Sequence, residues 1–334
     1  MIKVGVIRGG VSPEYDISLA TGGNVLSHLR GDILSKKYEP FDLLVDKEGV
    51  CHLNGLPISQ EKLARSVDVV FNALHGDFGE DGKLQQVLEN WSIPYTGSES
   101  VPSAVGYNKV LAKEQFAQLG IKTPKHFLIP LYQEDFDGPL EFYARKKARE
   151  VFEKLSPPWI LKPLTGGSSL GIRVCKTLPE LAQAFESMEN KNVSILAEEL
   201  IAGKEATVGV IEKFRGKDLY ALPAIEIRPP IGSRFFDYEA KYSGKSEEIC
   251  PGNFSEVEKR ELERLALAIH TGLGLGHYSR SDFIVVPNRG IYALEVNTLP
   301  GLTEESLIPK ALFSIGSNMS EFIDHILELA ISKK

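Results

Sequence analysis

Short apolar runs alternate with stretches of helical periodicity along roughly the first 100 residues of the chain. This rhythm is typical of an open parallel sheet, in which ligands collect beyond the carboxyl ends of the strands. Two loops at such ends therefore deserve examination, Gly9–Ser18 and His75–Gly82. The elements expected in this part are strand Ile2–Ile7, a helix from about Ser18, strands Phe41–Val45 and Val67–Ala73, and a helix from Lys83.

The remaining pattern predicts a mixture of strands and helices with no internal repeat. A charged segment at residues 131–157 is expected to form a solvated helix without chemistry of its own. Amphipathic segments are expected to be packing helices. The further elements are helices Val105–Leu119, Ser255–Leu273 and Asn318–Ile331, and strands at His126–Ile129, 159–162, 194–197, Ala206–Val210 and Ala221–Ile227.

A hairpin is predicted near the end of the chain, where 280–286 and 291–297 are β-rich runs around a Pro-Asn-Arg-Gly turn. Alternation places Glu295 and Asn297 on one face, which Asp282 can also reach. Such oxygen ligands suit Mg²⁺ that arrives with nucleotide phosphates. Arg280 suits the stabilisation of charge on a phosphoryl or acyl group. The alternative is an edge hairpin with exposed charges.

A lysine at the end of an apolar strand, Lys162, is followed by a loop rich in glycine and serine that includes Ser168 and Ser169. Backbone N–H groups and hydroxyls in such a loop can bind phosphate oxygens. The loop is not a Walker A motif, because the lysine precedes the glycines. A surface turn is the alternative, but the lysine directly before the loop favours a cover over phosphates.

The residues in the two loops of the N-terminal sheet each have a functional and a structural interpretation. Gly9-Gly10 lacks the GxGxxG pattern, so a dinucleotide site is a weak interpretation. Glu14 either belongs to a helix-entry turn or binds a substrate ammonium group. A glycine-rich setting at a strand end modestly favours a functional role for His75 over a structural one.

Acidic residues after the strand at 194–197 can bind a ribose or an adenine amino group, although each alone is more often an exposed charge. A segment further on, 235–244, interleaves aromatic side chains with Lys241 and Tyr242. It is expected to fold over a site, and a half-buried aromatic loop is the alternative. The acids are Glu198, Glu199 and Glu205.

Composition narrows the function classes. The chain has 334 residues, enough for two or three domains, and a net charge of −7 with both signs interspersed disfavours nucleic acid and membrane surfaces as partners. Three scattered cysteines without a CxxC pair imply neither a disulfide framework nor a zinc site. No apolar run is long enough to span a bilayer and no signal-peptide pattern precedes Ile2, which favours the cytoplasm.

Taken together, eight segments resemble the ATP-grasp ligases, and within them the D-alanine–D-alanine ligases. They follow the order of that family and are distributed nearly from end to end of the chain, with the weakest coverage at residues 30–65 and 130–157. The segments are GGVSPEYDIS, HGDFGEDGKLQ, GYNKVLAK, LKPLTGGSSLG, EELIAGKE, FDYEAKYS, SRSDF and LEVNTLPGLTEESLIP.

The resemblance implies an α/β (α+β) ATP-grasp fold with an N-terminal open parallel α/β domain. The implied subdomains are 1–102, which binds substrate, 103–204, which carries the glycine/serine lid, and 205–334, which carries the metal and oxyanion site. ATP would bind between the second and third.

The resemblance also assigns roles to residues by analogy. Nucleotide binding falls to Lys109, Lys162, Ser168, Ser169, Glu198, Glu199, Ile201, Glu205 and Lys241. Metal binding falls to Asp282, Glu295 and Asn297. The first D-alanine is bound by Glu14, linked to Ser168 and Tyr242, with His75 near its carboxylate. The oxyanion hole is formed by Arg280 and Gly301, and the second substrate's carboxylate is bound by Ser306 and Leu307.

The implied activity is the ATP-dependent joining of two D-alanines through D-alanyl phosphate, for peptidoglycan precursor synthesis. The implied cofactors are two Mg²⁺ or Mn²⁺ ions, and the implied assembly is a homodimer. The chain departs from the family pattern in lacking a charged residue within Leu164-Thr165-Gly166 and in having Glu199 where some relatives have lysine. The tyrosine at 242 resembles the dipeptide-forming type.

Three alternatives stay open from the sequence. One is a ligase with D-lactate or D-serine as second substrate. Another is a nucleotide-binding protein that has lost catalysis, which would need neither the ammonium site nor the oxyanion arginine. A dehydrogenase based on the N-terminal Gly-Gly is the third.

Overall fold

The computed structural model describes residues 1–167, 171–189, 193–228 and 247–332. Four residues with expected roles, Ser168, Ser169, Lys241 and Tyr242, lie outside the described residues.

The N-terminal part contains a five-stranded sheet in the order β4-β3-β2-β1-β5. The expected parallel arrangement is confirmed for β1, β2 and β5, whereas β3 and β4 extend one edge as an antiparallel hairpin. Branched side chains of β1 and β5 fill the core beneath α1. The elements are β1 (Ile2–Gly9), α1 (Tyr15–Arg30), β2 (Tyr38–Val45), β3 (Cys51–Leu53), β4 (Leu56–Pro57), α2 (Gln60–Ser66), β5 (Val69–Asn72) and α3 (Lys83–Asn90).

The single helix expected over Val105–Leu119 is wrong, because two helices, α4 (Ser100–Tyr107) and α5 (Lys109–Gln118), occupy this region. Asn108 separates them with extended backbone angles, φ −89° and ψ 109°. Its side-chain oxygen accepts hydrogen bonds from the first-turn N–H groups of α5 and thus caps that helix. The break puts Lys109 at the first position of α5.

The middle of the chain forms an antiparallel sheet in the order β6-β9-β7-β8. The charged segment is not fully solvated, since α7 buries one face, including Tyr143 and Val151, in the core of this sheet. Helix α8 was not predicted. The elements are β6 (His126–Ile129), α6 (Glu134–Asp137), α7 (Leu140–Lys154), β7 (Trp159–Pro163), β8 (Arg173–Cys175), α8 (Leu178–Glu189) and β9 (Ile195–Glu199).

The last sheet has the path β13-β12-β10-β14-β15, with β11 paired to β10. The hairpin expected near the end of the chain is confirmed as β14 and β15, and the strand expected over Ala221–Ile227 is divided into β11 and β12. The elements are β10 (Lys204–Glu212), β11 (Leu219–Ala221), β12 (Ile225–Arg228), β13 (Glu247–Ile249), α9 (Glu256–Gly272), β14 (Tyr278–Val286), β15 (Gly290–Asn297), α10 (Leu307–Ser314) and α11 (Met319–Ser332).

Packing of distant segments joins these sheets. Helices α10 and α11 share one apolar core with α1 and the N-terminal strands, through side chains such as Phe322 and Val25. Helix α5 packs with Phe116 against the core of the last sheet. Because these cores include segments from more than one expected subdomain, the boundaries 1–102, 103–204 and 205–334 stay a prediction. Among the helices that the structure describes, none is long and apolar enough to cross a membrane.

Candidate active site

The β14–β15 hairpin brings together the residues expected to bind metal. Asp282 lies directly opposite Glu295 in the strand register, and Arg280 lies opposite Asn297. Cross-strand partners share a face of the sheet, so the expectation of one common face is confirmed. A bulge follows Asp282 and shifts the register before Phe283.

Hydrogen bonds fix the Asp282 carboxylate. Arg280 donates from Nε to Oδ1 at 3.0 Å and from Nη2 to Oδ2 at 2.9 Å. Thr207, on the neighbouring strand β10, donates its hydroxyl to Oδ1 at 2.5 Å. A two-pronged contact of this kind holds both the guanidinium and the carboxylate in a defined orientation.

Asn297 is held by a local turn. Its Oδ1 accepts a hydrogen bond from the Leu299 N–H at 2.9 Å. Among the described residues no group of three His, Cys, Asp or Glu side chains could hold a metal ion. The set expected to bind metal has only two carboxylates, Asp282 and Glu295, and its third member is the amide of Asn297, so it is not a group of that type.

Buried lysines and one glutamate form an ion network beside this hairpin. Glu198 lies between Lys162 Nζ, 2.9 Å from Oε2, and Lys113 Nζ, 3.1 Å from Oε1. All three side chains are almost completely buried. Burial alone would raise the pKa of Glu198, but the two lysines outweigh it and lower that pKa.

Lys109 is the other buried lysine of this region. Its Nζ donates to the Gly166 carbonyl at 2.6 Å, and its N–H donates to the Leu164 carbonyl at 3.2 Å. These bonds attach the start of α5 to the segment that leads into the glycine/serine loop. Burial lowers the pKa of Lys109, and the charge of Glu295 opposes that shift.

The other acids expected at the nucleotide site differ in position from Glu198. Glu199 follows it on β9, so its side chain points to the opposite face. There its Oε1 accepts a hydrogen bond from the Lys125 N–H at 2.9 Å. Ile201 is half-buried just after β9, and Glu205 lies at the start of β10, opposite Ile284 of β14.

Glu14 precedes α1 and is buried, with 7% of its surface exposed. Its N–H donates to Ser12 Oγ at 3.1 Å. Glycines approach its carboxylate from two loops. A Cβ added at Gly76 would lie 2.9 Å from Oε2, and one added at Gly167 would lie 3.3 Å from both oxygens. The carboxylate thus lies between the histidine-containing loop and the glycine/serine loop.

His75 is buried in a hydrogen-bonded chain. Its Nε2 lies 3.0 Å from Thr21 Oγ1, and its Nδ1 lies 3.3 Å from Glu80 Oε1. Burial raises the pKa of Glu80, and His75 opposes that rise. The Thr21 hydroxyl also accepts a long hydrogen bond, 3.5 Å, from the Leu302 N–H.

The loop after β15 is held by the N-terminal part of the chain. Asn24 of α1 donates its side-chain amide to the Leu302 carbonyl at 2.7 Å. A Cβ added at Gly301 would lie 3.0 Å from Ser306 Oγ. Ser306 precedes α10, whose first residue is Leu307, and its Oγ accepts from the Thr303 N–H at 3.1 Å.

Charged groups with four of the expected roles act on the buried Lys109. They are Glu295, Lys162, Glu198 and Glu14. The structure therefore gathers residues expected for phosphate, metal, adenine and ammonium around one buried lysine.

Comparison with known proteins identifies the family of this site. The model for the D-ala D-ala ligase C-terminus matches residues 115–328, and the model for the N-terminus matches residues 52–98. A D-alanine–D-alanine ligase of Geobacter sulfurreducens is 37% identical over 328 residues, covering 97% of this chain and 93% of the relative. The chain belongs to the D-alanine–D-alanine ligase family.

Solved structures agree with the assignment to this family. The VanG D-Ala:D-Ser ligase of Enterococcus faecalis has a TM-score of 0.82 and 28% identity, over 98% of this chain and 99% of that chain. The D-alanine–D-alanine ligase of Bacillus anthracis complexed with ATP has a TM-score of 0.78 and 27% identity, over 100% and 98%. The ATP-grasp fold expected from the sequence is thereby confirmed, and the chain is an ATP-dependent ligase of D-alanine.

Several residues of this site have no role predicted from the sequence. Thr21 and Thr207 gave no signal, since a threonine in a helix or strand is unremarkable until its partner is known. Glu80 lies inside the loop of His75, and Lys113 lies one helical turn after Lys109. Both spacings indicate proximity to an expected site residue. They do not identify the partners, because Glu80 meets His75 only through the conformation of their loop and Lys113 pairs with Glu198, which is distant in sequence.

Proposed function

We propose that the chain joins two D-alanines in a single pocket around Lys109, with ATP as the activating substrate and ADP and phosphate as the other products. The observation that carries the proposal is a geometric one: Lys109 Nζ donates to the Gly166 carbonyl at 2.6 Å, and the next residue, Gly167, borders the carboxylate of Glu14. A protein that only binds nucleotide has no need of the buried Glu14 beside that nucleotide site.

The nucleotide contacts rest on the buried ion network. Glu198 Oε1 lies 3.1 Å from Lys113 Nζ, with which it forms an ion pair, and is buried beside the expected nucleotide site. A carboxylate oxygen has two lone pairs, so we propose that Oε1 also accepts a hydrogen bond from the amino group of adenine. We assign phosphates to Lys109 and Lys162. Backbone groups near Glu199 and Ile201 would bind the adenine edge, and Glu205 would bind the ribose.

The side-chain atoms available at the expected metal site are compatible with a divalent cation. Asp282, Glu295 and Asn297 offer only hard oxygens, which suit Mg²⁺ or Mn²⁺. A carboxylate offers about four lone-pair sites, so the three hydrogen bonds accepted by Asp282 are compatible with ligation. The residues therefore fit the expected two ions. When bound, such ions would offset the charge of the phosphates.

The first chemical step activates a carboxylate. We propose that Glu14 binds the ammonium group of the first D-alanine, whose carboxylate oxygen attacks the γ-phosphorus of ATP. The bond to the ADP oxygen breaks, giving D-alanyl phosphate and ADP. His75 acts near this carboxylate through its position, since Thr21 and Glu80 already occupy its ring nitrogens.

The second step forms the peptide bond. The free amine of the second D-alanine attacks the carbonyl carbon, and phosphate leaves with its bonding electron pair. Arg280 and the Gly301 N–H would stabilise the oxyanion of the tetrahedral intermediate. The N–H groups at Ser306 and Leu307, where α10 begins, would bind the second carboxylate.

The lid and the aromatic loop complete the proposal. Ser168 and Ser169 would cover the phosphates, and Lys241 would contact the transferred phosphoryl group. Tyr242 and Ser168 would be linked to Glu14 by hydrogen bonds. Exclusion of water by these segments is needed because D-alanyl phosphate would otherwise hydrolyse.

The test is ADP release with Mg²⁺ and ATP, given D-alanine alone, L-alanine alone, or D-alanine with D-lactate or D-serine, with products identified by mass. D-Alanyl-D-alanine from D-alanine alone is expected. ATP binding without turnover in any mixture would contradict the assigned catalytic roles.

A second candidate differs in the second substrate. The likeness to a solved D-Ala:D-Ser ligase, with a TM-score of 0.82, favours a comparison with D-serine. A mixed D-alanyl-D-serine product in preference to D-alanyl-D-alanine would move the assignment to this activity. The chemistry of both steps would be unchanged.

Compartment and assembly stay predictions. We propose a cytoplasmic enzyme that supplies peptidoglycan precursor and forms a homodimer. Neither nucleic acid nor membrane is proposed as a partner. Sedimentation velocity of the purified chain would test the dimer.

A further inference from the structure

Lys113 is a fully buried charge that the proposed mechanism does not use. Its Nζ lies 3.1 Å from Glu198 Oε1 and donates to Thr123 Oγ1 at 2.8 Å. Burial lowers the pKa of Lys113 to about 8, although Glu198 opposes that shift. The lysine is therefore still charged near pH 7.

The network has an unequal charge count, because two lysines share one glutamate. Glu198 uses Oε2 for Lys162 and Oε1 for Lys113. Without Lys113, the single carboxylate would neutralise Lys162 in a closed pair. With Lys113, these three side chains together carry one positive charge in excess where phosphates are expected to bind.

We propose that Lys113 is a positioning residue for the nucleotide: it offsets the charge of Glu198 and so leaves the Lys162 ammonium available to phosphate. The inference rests on the proposed assignment of Lys162 and Glu198 to the nucleotide site. Lys113 itself contacts neither substrate in this account.

A purely structural role makes a different prediction. In Lys113→Met the buried Glu198 loses one of its two lysine partners, and weaker pairing of a buried charge is destabilising, so either role predicts a lower melting temperature. Only the positioning role predicts that a second change, Glu198→Gln, partly restores nucleotide binding. Glu198→Gln removes the negative charge that pairs with Lys162, so the Lys162 ammonium becomes available to phosphate again. The amide oxygen of the introduced glutamine can still accept a hydrogen bond from Lys162.

The experiment measures binding of Mg²⁺-ATP to the full chain by titration calorimetry, together with KM for D-alanine. The variants are Lys113→Met, Glu198→Gln, their double variant and Lys162→Met, with the exposed Lys122→Met as matched control. Lys113→Met is expected to raise the Kd for ATP about tenfold and to change KM for D-alanine less than twofold. The double variant is expected to recover at least threefold of the lost affinity.

The outcomes separate this inference from the proposed function. An unchanged Kd in Lys162→Met would contradict the assignment of Lys162 to ATP. A raised Kd in Lys162→Met with an unchanged Kd in Lys113→Met would overturn the inference alone. Additive losses in the double variant would overturn it as well.

A variant that keeps the charge guards against misfolding as an explanation. Lys113→Arg is expected to bind ATP within threefold of the wild-type chain. If Lys113→Met does not fold, Lys113→Gln takes its place with the same expected tenfold change. Wild-type affinity in Lys113→Gln would overturn the inference.

Discussion

Gly167 lies directly against the carboxylate of Glu14, with room for a hydrogen but little room for a methyl group. A Cβ at position 167 would lie 3.3 Å from each carboxylate oxygen. Gly167, which directly precedes Ser168 in the sequence, thus borders the carboxylate proposed to bind the first D-alanine. The two residues come from different sheets, so the distance between them depends on how those parts of the chain pack.

Gly167→Ala is expected to weaken binding of D-alanine. The added methyl group forces the Glu14 carboxylate to move by a few tenths of an ångström, and small misplacements at a reacting centre are costly. We expect kcat/KM for D-alanine to fall about three- to tenfold with Kd for ATP unchanged. Steady-state kinetics at saturating ATP measure this effect.

A matched control is Gly23→Ala in α1, where the added Cβ makes only an ordinary contact, 3.6 Å from Arg8 Nη1. This change should leave kinetics unchanged and stabilise the helix by up to about 1 kcal/mol. Wild-type kcat/KM in Gly167→Ala would argue against a substrate role for Glu14.

Glu295→Gln is expected to abolish turnover while the fold stays intact. The amide keeps the shape of the side chain but removes the charge that a divalent cation requires at this position, opposite Asp282. Phosphate release measures turnover, and circular dichroism measures folding. The exposed Glu153→Gln serves as control. Unchanged phosphate release in Glu295→Gln would refute its assignment as a metal ligand.

Thr21→Val tests the chain that connects His75 with the loop of Gly301. Valine keeps the volume but leaves His75 Nε2 and the Leu302 N–H without their shared hydroxyl. Loss of a buried hydrogen-bond partner costs about 1–3 kcal/mol of unfolding free energy.

The kinetic effect of Thr21→Val should fall on kcat, because both the first substrate's carboxylate and the oxyanion depend on this chain. Thr21→Ser, which keeps the hydroxyl, should retain activity. Equal losses of kcat in the valine and serine variants would show that packing, not the hydroxyl, is what matters.

Glu212 is expected to make the stability of the fold depend on acid pH. Burial would raise its pKa, but His270 and the His277 N–H, which donates to Oε2 at 2.7 Å, together lower that pKa to about 2. Because the ordinary pKa is 4.5, the ionised group stabilises the fold above that pH, and this contribution is lost as pH falls toward 2.

Urea unfolding of wild type and Glu212→Gln at several pH values tests this. The variant should be less stable at pH 7, and the difference in unfolding free energy should shrink steadily from about pH 5 to pH 3. A difference that stays constant over that range would contradict the prediction.

Local pattern was enough to predict the β14–β15 hairpin and its chemistry. A two-residue period fixes which side chains share a face, so Asp282, Glu295 and Asn297 could be grouped before any packing was known. The same reasoning correctly expected β1 and α9, with errors of a few residues at their ends. These features depend on neighbours that are close in sequence.

Breaks within elements were not predictable in this way. Asn108 has extended backbone angles and caps α5, which divides the stretch expected to form a single helix. Helix α7 shows the same limit, since its charged sequence concealed a buried face. The break at Asn108 is a local capping effect that one asparagine does not reveal by itself, whereas the buried face of α7 depends on tertiary contacts.

By itself, the sequence determined the α/β class, the β14–β15 hairpin with the side chains that share its face, and the motifs that resemble the D-alanine–D-alanine ligases. Only the tertiary structure decided that Lys113 shares Glu198 with Lys162, and that Gly167 borders Glu14. The physical reason is the sequence separation over which each kind of interaction acts. Periodicity reports the conformation of a backbone segment, whereas the meeting of two faces depends on burying apolar surface between segments that are distant in the chain.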